Sequence, residues 1–144
     1  MEYKIMNGTY YIKIDKDENL LERIRYFSKK NEVCGSFSGI GAANKVTIST
    51  YLPEEKKFLD HTQEGMLEMI SLTGNVSLDK KNNPVVHAPA CFSYLNDKDK
   101  IAVIAGDLRE AQISYTGEVV FVPTDQPLYR EFDKHAEINV WKLS

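Results

Sequence analysis

A short glycine-containing stretch is the first part of the sequence whose residue types could do chemistry. The segment GIGAAN places Gly39 and Gly41 two positions apart, and it departs from the Gly-x-Gly-x-x-Gly loop of dinucleotide-binding proteins at Asn44. That loop holds a pyrophosphate at the N-terminus of the helix that follows it. Here a strand-like segment, KVTISTY, follows instead. We therefore predict that the two glycines shape a bend between strands or let another backbone approach closely.

Nucleophilic and acid–base chemistry has no recognisable motif in the sequence. Ser36, Ser38 and Ser93 lack the Gly-x-Ser-x-Gly context that exposes a serine hydroxyl on a sharp turn. Asp97 and Asp99 lie in the polar segment NDKDK, where carboxylates are typical of turns. Catalytic groups from distant segments could still converge across a subunit interface. The sequence thus favours a non-enzymatic protein and leaves an enzyme open.

The segment of residues 15–31 has the periodicity of an amphipathic helix. In DKDENLLERIRYFSKKN, apolar Leu20, Ile24 and Phe27 recur at positions i, i+4 and i+7. Asn19 can cap the N-terminus, and Glu22 three residues later completes the pattern of a capping box. We predict that this is the main helix of the chain.

The remainder of the chain alternates with a period of two and predicts strands. Residues 3–14 alternate around Asn7-Gly8, a dipeptide that favours a two-residue hairpin turn. No linker or repeat divides the chain, and regular strand–helix–strand alternation is absent. The pattern therefore predicts one domain over residues 1–144, an α+β fold of mostly antiparallel sheet. The other predicted strands are VCGSFSGI, KVTISTYL, MLEMISLTGNVSL, PVVHAPACFSYL, KIAVIAGDL, AQISYTGEVVFVP and INVWKL.

Composition narrows the class of protein. The net charge of −3 opposes strong, general binding to nucleic acid, because neutralised phosphates supply most of that affinity. Cys34 and Cys91 are isolated, which is typical of reduced thiols. The N-terminus lacks an apolar signal segment, and no apolar run approaches the ~18 residues of a membrane span. We predict a soluble cytoplasmic protein without a membrane partner.

Four segments taken together carry a family resemblance. YYIKIDKDENLLERIRYFSKKN, GSFSGIGAANKVTISTY, EGMLEMISLTGNVSL and IAGDLREAQISYTGEVVFVP resemble, in this order, the plants-and-prokaryotes-conserved (PPC) domain family. The resemblance extends from about Tyr10 to Leu143, nearly the whole chain. It implies a compact antiparallel α+β domain that assembles into homotrimers.

Plant members of this family imply two kinds of partner. Their domain lies beside Arg-Gly-Arg-Pro motifs that enter the DNA minor groove, and this chain contains no such motif. Their Gly-Arg-Phe-Glu-Ile-Leu segment, linked to partner proteins, corresponds to residues 65–70, with Met66 in place of the arginine and Glu68 retained. Glu68 is thus a candidate partner-binding residue. The alternative is a glutamate that simply faces solvent on an alternating strand.

Prokaryotic members imply a metal site made of histidines on two strands. This chain keeps His87 but has Pro89 at the second histidine position and Asp107 at the third. The resemblance makes His87 and Asp107 candidate metal ligands, with Glu110 as a third. The alternative is that His87 is a hydrogen-bonded strand residue and that Asp107 faces a trimer crevice.

These observations lead to one main hypothesis and two alternatives. The main hypothesis is a non-enzymatic homotrimeric module that binds a partner or small ligand and needs no cofactor. The first alternative is a DNA-associated transcriptional regulator, and the second is a metal-dependent enzyme that uses His87 and Asp107. The candidate residues for a ligand crevice are His87, Asp107, Glu110, Gly39 and Gly41.

Overall fold

The structure, a computed structural model, describes all 144 residues and consists of one helix and nine strands. Sheet dominates, in agreement with the α+β fold predicted from the sequence. The elements are β1 (Glu2–Met6), β2 (Thr9–Asp15), α1 (Leu20–Asn31), β3 (Gly35–Leu52), β4 (Lys57–Leu78), β5 (Pro84–His87), β6 (Pro89–Leu95), β7 (Ile101–Pro123), β8 (Tyr129–Asp133) and β9 (Ile138–Lys142).

The predicted helix is α1. The side chain of Asn19 accepts a hydrogen bond from the backbone N–H of Glu22 at 3.1 Å and so caps the first turn. Leu20, Ile24 and Phe27 are fully buried, as their spacing predicts. The helix ends at Glu32, which adopts the left-handed conformation. No helix in the chain is both long and apolar enough to cross a membrane.

All strand pairs but one are antiparallel, the exception being the single bridge between β4 and β8. The main path through the sheet is β1-β2-β7-β3-β4-β8-β9. Strand β6 pairs with both β4 and β7, and β3 also pairs with both. Strands β3, β4, β6 and β7 therefore form a closed circuit. Where these four strands pair with one another, none of them has an unpaired edge.

The core lies between the sheet and α1. The ring of Phe27 contacts those of Tyr10 and Phe121 edge to face, with centroids 4.9 and 5.2 Å apart. Both Phe27 and Phe121 are fully buried. Because side chains alternate along a strand, Val120 beside Phe121 points to the face of the sheet that α1 does not cover.

Strands β3, β4 and β7 are longer than the sequence suggests, whereas the predicted strand PVVHAPACFSYL is divided into β5 and β6. The predicted strands VCGSFSGI and KVTISTYL are one 18-residue strand, β3, so the expected bend at the glycines is wrong. Neither Gly39 nor Gly41 has a positive φ; the strand instead changes register at Gly39–Gly41 and again at Ala43–Lys45 through bulges. Strand β8 is absent from the strands that the sequence predicts.

Candidate functional site

His87 and Asp107 lie together at one end of the closed circuit of strands. His87 is the last residue of β5, and Asp107 on β7 is paired with Pro89, the first residue of β6. The N–H of Leu108 donates to the carbonyl of Ala88 at 3.0 Å, which joins the two segments. As a result, the imidazole Nε2 of His87 lies 3.6 Å from Oδ1 of Asp107.

Gly106 allows β7 to approach β3 immediately before Asp107. Its φ is +149°, and a Cβ there would lie 2.7 Å from the Cγ2 of buried Ile48. Residues with a Cβ adopt this backbone conformation with strain. Gly106 thus places Asp107 by letting β7 pack closely against β3.

A polar cluster continues from Asp107 along the same face. Nη2 of Arg109 lies 3.5 Å from Oδ2 of Asp107, and its Nε donates to Oγ of Ser49 at 3.0 Å. Ser49 is buried and in turn donates to Asp60. The guanidinium lies 4.5 Å from the ring centroid of Phe58, a cation–π contact. We call this group the His87 cluster; its members are Ser49, Phe58, Asp60, His87, Asp107 and Arg109.

Glu110, the predicted third ligand, does not belong to the His87 cluster. It faces Thr47 across the sheet, and its Oε1 lies 4.0 Å from Nζ of Lys45. No three His, Cys, Asp or Glu side chains of the chain converge as metal ligands. A tetrahedral zinc site takes at least three protein ligands. Within one chain, His87 and Asp107 therefore do not form a complete zinc site, and the guanidinium of Arg109 lies 3.5 Å from one carboxylate oxygen of Asp107.

Gly39 and Gly41 pack against β7 rather than hold a ligand loop. A Cβ at Gly39 would lie 2.8 Å from the carbonyl oxygen of Glu118, and one at Gly41 would lie 2.3 Å from that of Thr116. The second of the two predicted roles, close approach of another backbone, is therefore the one that the geometry supports.

A broad apolar groove lies on the face of the sheet that α1 does not cover. It has a volume of about 660 Å³, and Gly39 lies in it. Ile40 and Ile70 are 58% and 51% exposed there. Lys13 and Glu118, paired across β2 and β7, add one charge of each sign. We call this surface the outer face; its solvent-accessible apolar side chains are Tyr11, Ile40, Ile70 and Val120.

Glu68 lies apart from the His87 cluster, exposed on β4 opposite Ser93. It lines a groove of about 350 Å³ with Met66, Leu95 and Ile101. These three apolar side chains are each more than half exposed. Glu68 is thus a single charge within an apolar surface, a setting typical of contact surfaces.

Comparison with known proteins places this geometry in a family. The Plants and Prokaryotes Conserved (PCC) domain matches residues 1–125. The chain belongs to this family. It is the PPC family whose resemblance the sequence carries, so that prediction is confirmed. The PPC match ends before β8, and the β8–β9 hairpin follows it. No curated protein is significantly similar to the chain.

Solved structures share the fold along nearly the whole length of this PPC chain. A candidate DNA-binding protein from Bacteroides thetaiotaomicron is 23% identical, with a TM-score of 0.87 over 98% of this chain and 96% of its own. A metal-containing protein from Archaeoglobus fulgidus is 22% identical, with a TM-score of 0.80 over 98% and 96%. A PPC protein from Pyrococcus horikoshii is 28% identical, with a TM-score of 0.77 over 98% and 94%.

Sequence reasoning located only part of the His87 cluster. His87 and Asp107 were identified through the family resemblance, and Arg109 could have been added because positions i and i+2 of a strand share a face. The sequence around Ser49 and Asp60 contains no motif that would indicate their place in the cluster. They reach the cluster through the long-range register of β3 with β4 and β7 and through the irregularity between Thr47 and Ile48.

Proposed function

We propose that this chain is a non-enzymatic, homotrimeric module that binds a protein partner or a small ligand. The observation that carries the proposal is the outer face, an apolar groove that no element of the chain covers. Exposed apolar patches of this kind mark interaction surfaces. Lys13 and Glu118 give the surface both signs of charge, which suits contact with another copy of the chain. The family resemblance sets the expected copy number at three.

Substitution in the groove tests the assembly. Ile40→Asp and Ile70→Asp place a charge in the contact and should convert the trimer to monomers. Leu143→Asp is the matched control, because Leu143 is 79% exposed and lies outside the outer face. Size-exclusion chromatography with light scattering reports the mass. Trimers that persist in both isoleucine variants would place the interface elsewhere.

The His87 cluster is the candidate small-ligand site of this module. An imidazole, a carboxylate and a guanidinium stacked on an aromatic ring offer donors, an acceptor and an apolar wall within one surface. Arg109→Ala should abolish retention of a ligand while trimers persist. Native mass spectrometry of the untagged protein separates the two readouts, since subunit number and retained mass appear in one spectrum.

A divalent metal at His87 and Asp107, and a metal-dependent enzyme built on it, remain predictions. Two ligands from one chain would need a third from elsewhere, such as water or a neighbouring subunit. Metal analysis of untagged protein is the test. A stoichiometric metal that disappears in His87→Ala would support the site, and metal content unchanged by that substitution would reject it.

A DNA-associated role is the second candidate function. It is supported by the description of the Bacteroides relative and by α1, whose outward side chains include Arg25, Lys29 and Lys30. The net charge of −3 opposes it. Duplex DNA that binds at about 50 mM salt and is released by a Lys29→Ala/Lys30→Ala variant would support this role. Absence of binding at that salt concentration would end it.

A further inference from the structure

Arg130 on β8 carries a positive charge that no acidic side chain neutralises. Its Nε donates to Oγ of Ser77 at 2.6 Å, its Nη2 to Oδ1 of Asn75 at 3.0 Å, and its Nη1 to the backbone carbonyl of Asn139 at 3.1 Å. All three acceptors are neutral, and no carboxylate oxygen lies within 4.0 Å of the guanidinium. Partial burial lowers the pKa of Arg130, since desolvation disfavours the charged form.

Arg130 lines a cleft between the β8–β9 hairpin and the loop before β5. The cleft has a volume of about 450 Å³. Lys80 and Lys81 line it as well, and neither forms an ion pair. Three cations therefore share one concave surface. The remaining lining residues are Asp79, Asn83, Val85 and Asn139.

The two acidic groups near the cleft are both engaged elsewhere. Oδ1 of Asp79 accepts the backbone N–H groups of Lys81 and Asn83, each at 2.8 Å, so this carboxylate organises its own loop. These hydrogen bonds lower the pKa of Asp79. Glu131, in the adjoining groove that Lys80 and Arg130 also line, lies 3.7 Å from Nζ of Lys142.

We propose that this cleft binds a phosphorylated small molecule through its phosphate group. A guanidinium has five N–H donors, and three of those of Arg130 are used, so two remain for oxyanion contacts. Arginine suits phosphate because its planar fork donates in pairs. A volume of about 450 Å³ falls within the range of small-molecule sites. The cations are confined to one cleft rather than spread along a stripe, which favours a compact anion over a nucleic-acid backbone.

None of the residues that line this cleft belongs to the outer face or to the His87 cluster. The cleft depends on the β8–β9 hairpin, residues that lie beyond the matched family region of 1–125. The hairpin supplies Arg130 and Asn139, whereas the family domain supplies Lys80 and Lys81. The proposed phosphate site therefore combines residues of the matched domain with residues of the hairpin that follows it.

Titration with inorganic pyrophosphate, followed by isothermal calorimetry, tests the proposal. We expect saturable binding that weakens about tenfold or more in Lys80→Ala/Lys81→Ala, because hydrogen bonds to charged groups are lost. These lysine side chains make no ion pair in the structure, so the variant should fold. Lys56→Ala/Lys57→Ala is the matched control, since it removes an equal charge at the tip of the β3–β4 hairpin, and it should bind as the wild type does.

Arg130→Gln gives a second and independent result. It should also abolish binding, and fluorescence of Trp141, the single tryptophan, will report whether the hairpin stays in place. Failure of pyrophosphate to bind, or equal binding by both lysine variants, would overturn the proposal. Duplex DNA that binds through Lys80 and Lys81 when pyrophosphate does not would also overturn it, in favour of a nucleic-acid backbone.

Discussion

Gly41 shows how closely single residues are fitted in this sheet. A Cβ there would lie 2.3 Å from the carbonyl oxygen of Thr116, which belongs to the backbone and cannot rotate away. We expect Gly41→Ala to lower the free energy of unfolding by about 1–3 kcal/mol through overpacking. Urea denaturation measures the change. Ser36→Ala, at an exposed position of the same strand outside the outer face, should stay within about 0.5 kcal/mol of wild type. Equal stability of Gly41→Ala and wild type would mean that β3 and β7 are not in such close contact.

At the same scale, the role of a residue depends more on its neighbours in the folded sheet than on its type. Gly39 and Gly41 are visible in the sequence, but a glycine that turns the chain and a glycine that admits a neighbouring backbone look alike there. The choice depends on β7, which is more than 60 residues distant along the chain. Ser49 illustrates the same point, because its burial beside Arg109 and Asp60 is decided by strand register and not by its neighbours in sequence.

Among the elements, α1 is the one that local sequence determines most completely. Asn19, its cap, satisfies the N–H of Glu22. We expect Asn19→Ala to destabilise the protein by about 1 kcal/mol, whereas Asn19→Asp should retain the cap. Urea denaturation of the two variants is the measurement. Equal loss in both variants would show that the amide itself, rather than an oxygen acceptor, is required.

The β8–β9 hairpin should loosen in acid. The backbone N–H groups of Ala136 and His135 donate to Oδ1 of Asp133, and they hold the pKa of this carboxyl below its ordinary value. A depressed native pKa gives stability that is present above the unfolded pKa and is lost as pH falls through the native pKa. The turn should therefore weaken below about pH 4.

Trp141 on β9 makes this change measurable by fluorescence. Asp133→Asn keeps an oxygen acceptor but does not titrate, so it should remove the acid transition of the hairpin. An acid transition of the same size in wild type and Asp133→Asn would show that another group is responsible.

Strand boundaries are where prediction from sequence fell short at this scale. Alternation correctly identified β1, β2 and β9, yet it divided both β3 and β7 in two. Bulges in β3 shift its pairing while the strand continues, so the apolar pattern breaks although the backbone does not. Strand β8 was missed because YREFD alternates weakly, and Arg130 holds it in place through contacts with β4.

On the scale of the whole molecule, the two faces of the sheet have different surroundings. One face is covered by α1, with Phe27 and Phe121 in contact, and the other bears the open groove of the outer face. A single chain leaves this apolar surface in water, which is unfavourable by roughly 25 cal/mol for each Å² that a partner would bury. Association of identical chains is the simplest way to cover it.

The mass of the untagged protein at micromolar concentration tests this account most directly. Native mass spectrometry should show a species of three times the 16.4 kDa chain mass, and Ile40→Asp should reduce it to one. A monodisperse monomer for the wild-type protein would contradict the proposed assembly and with it the function assigned to the outer face.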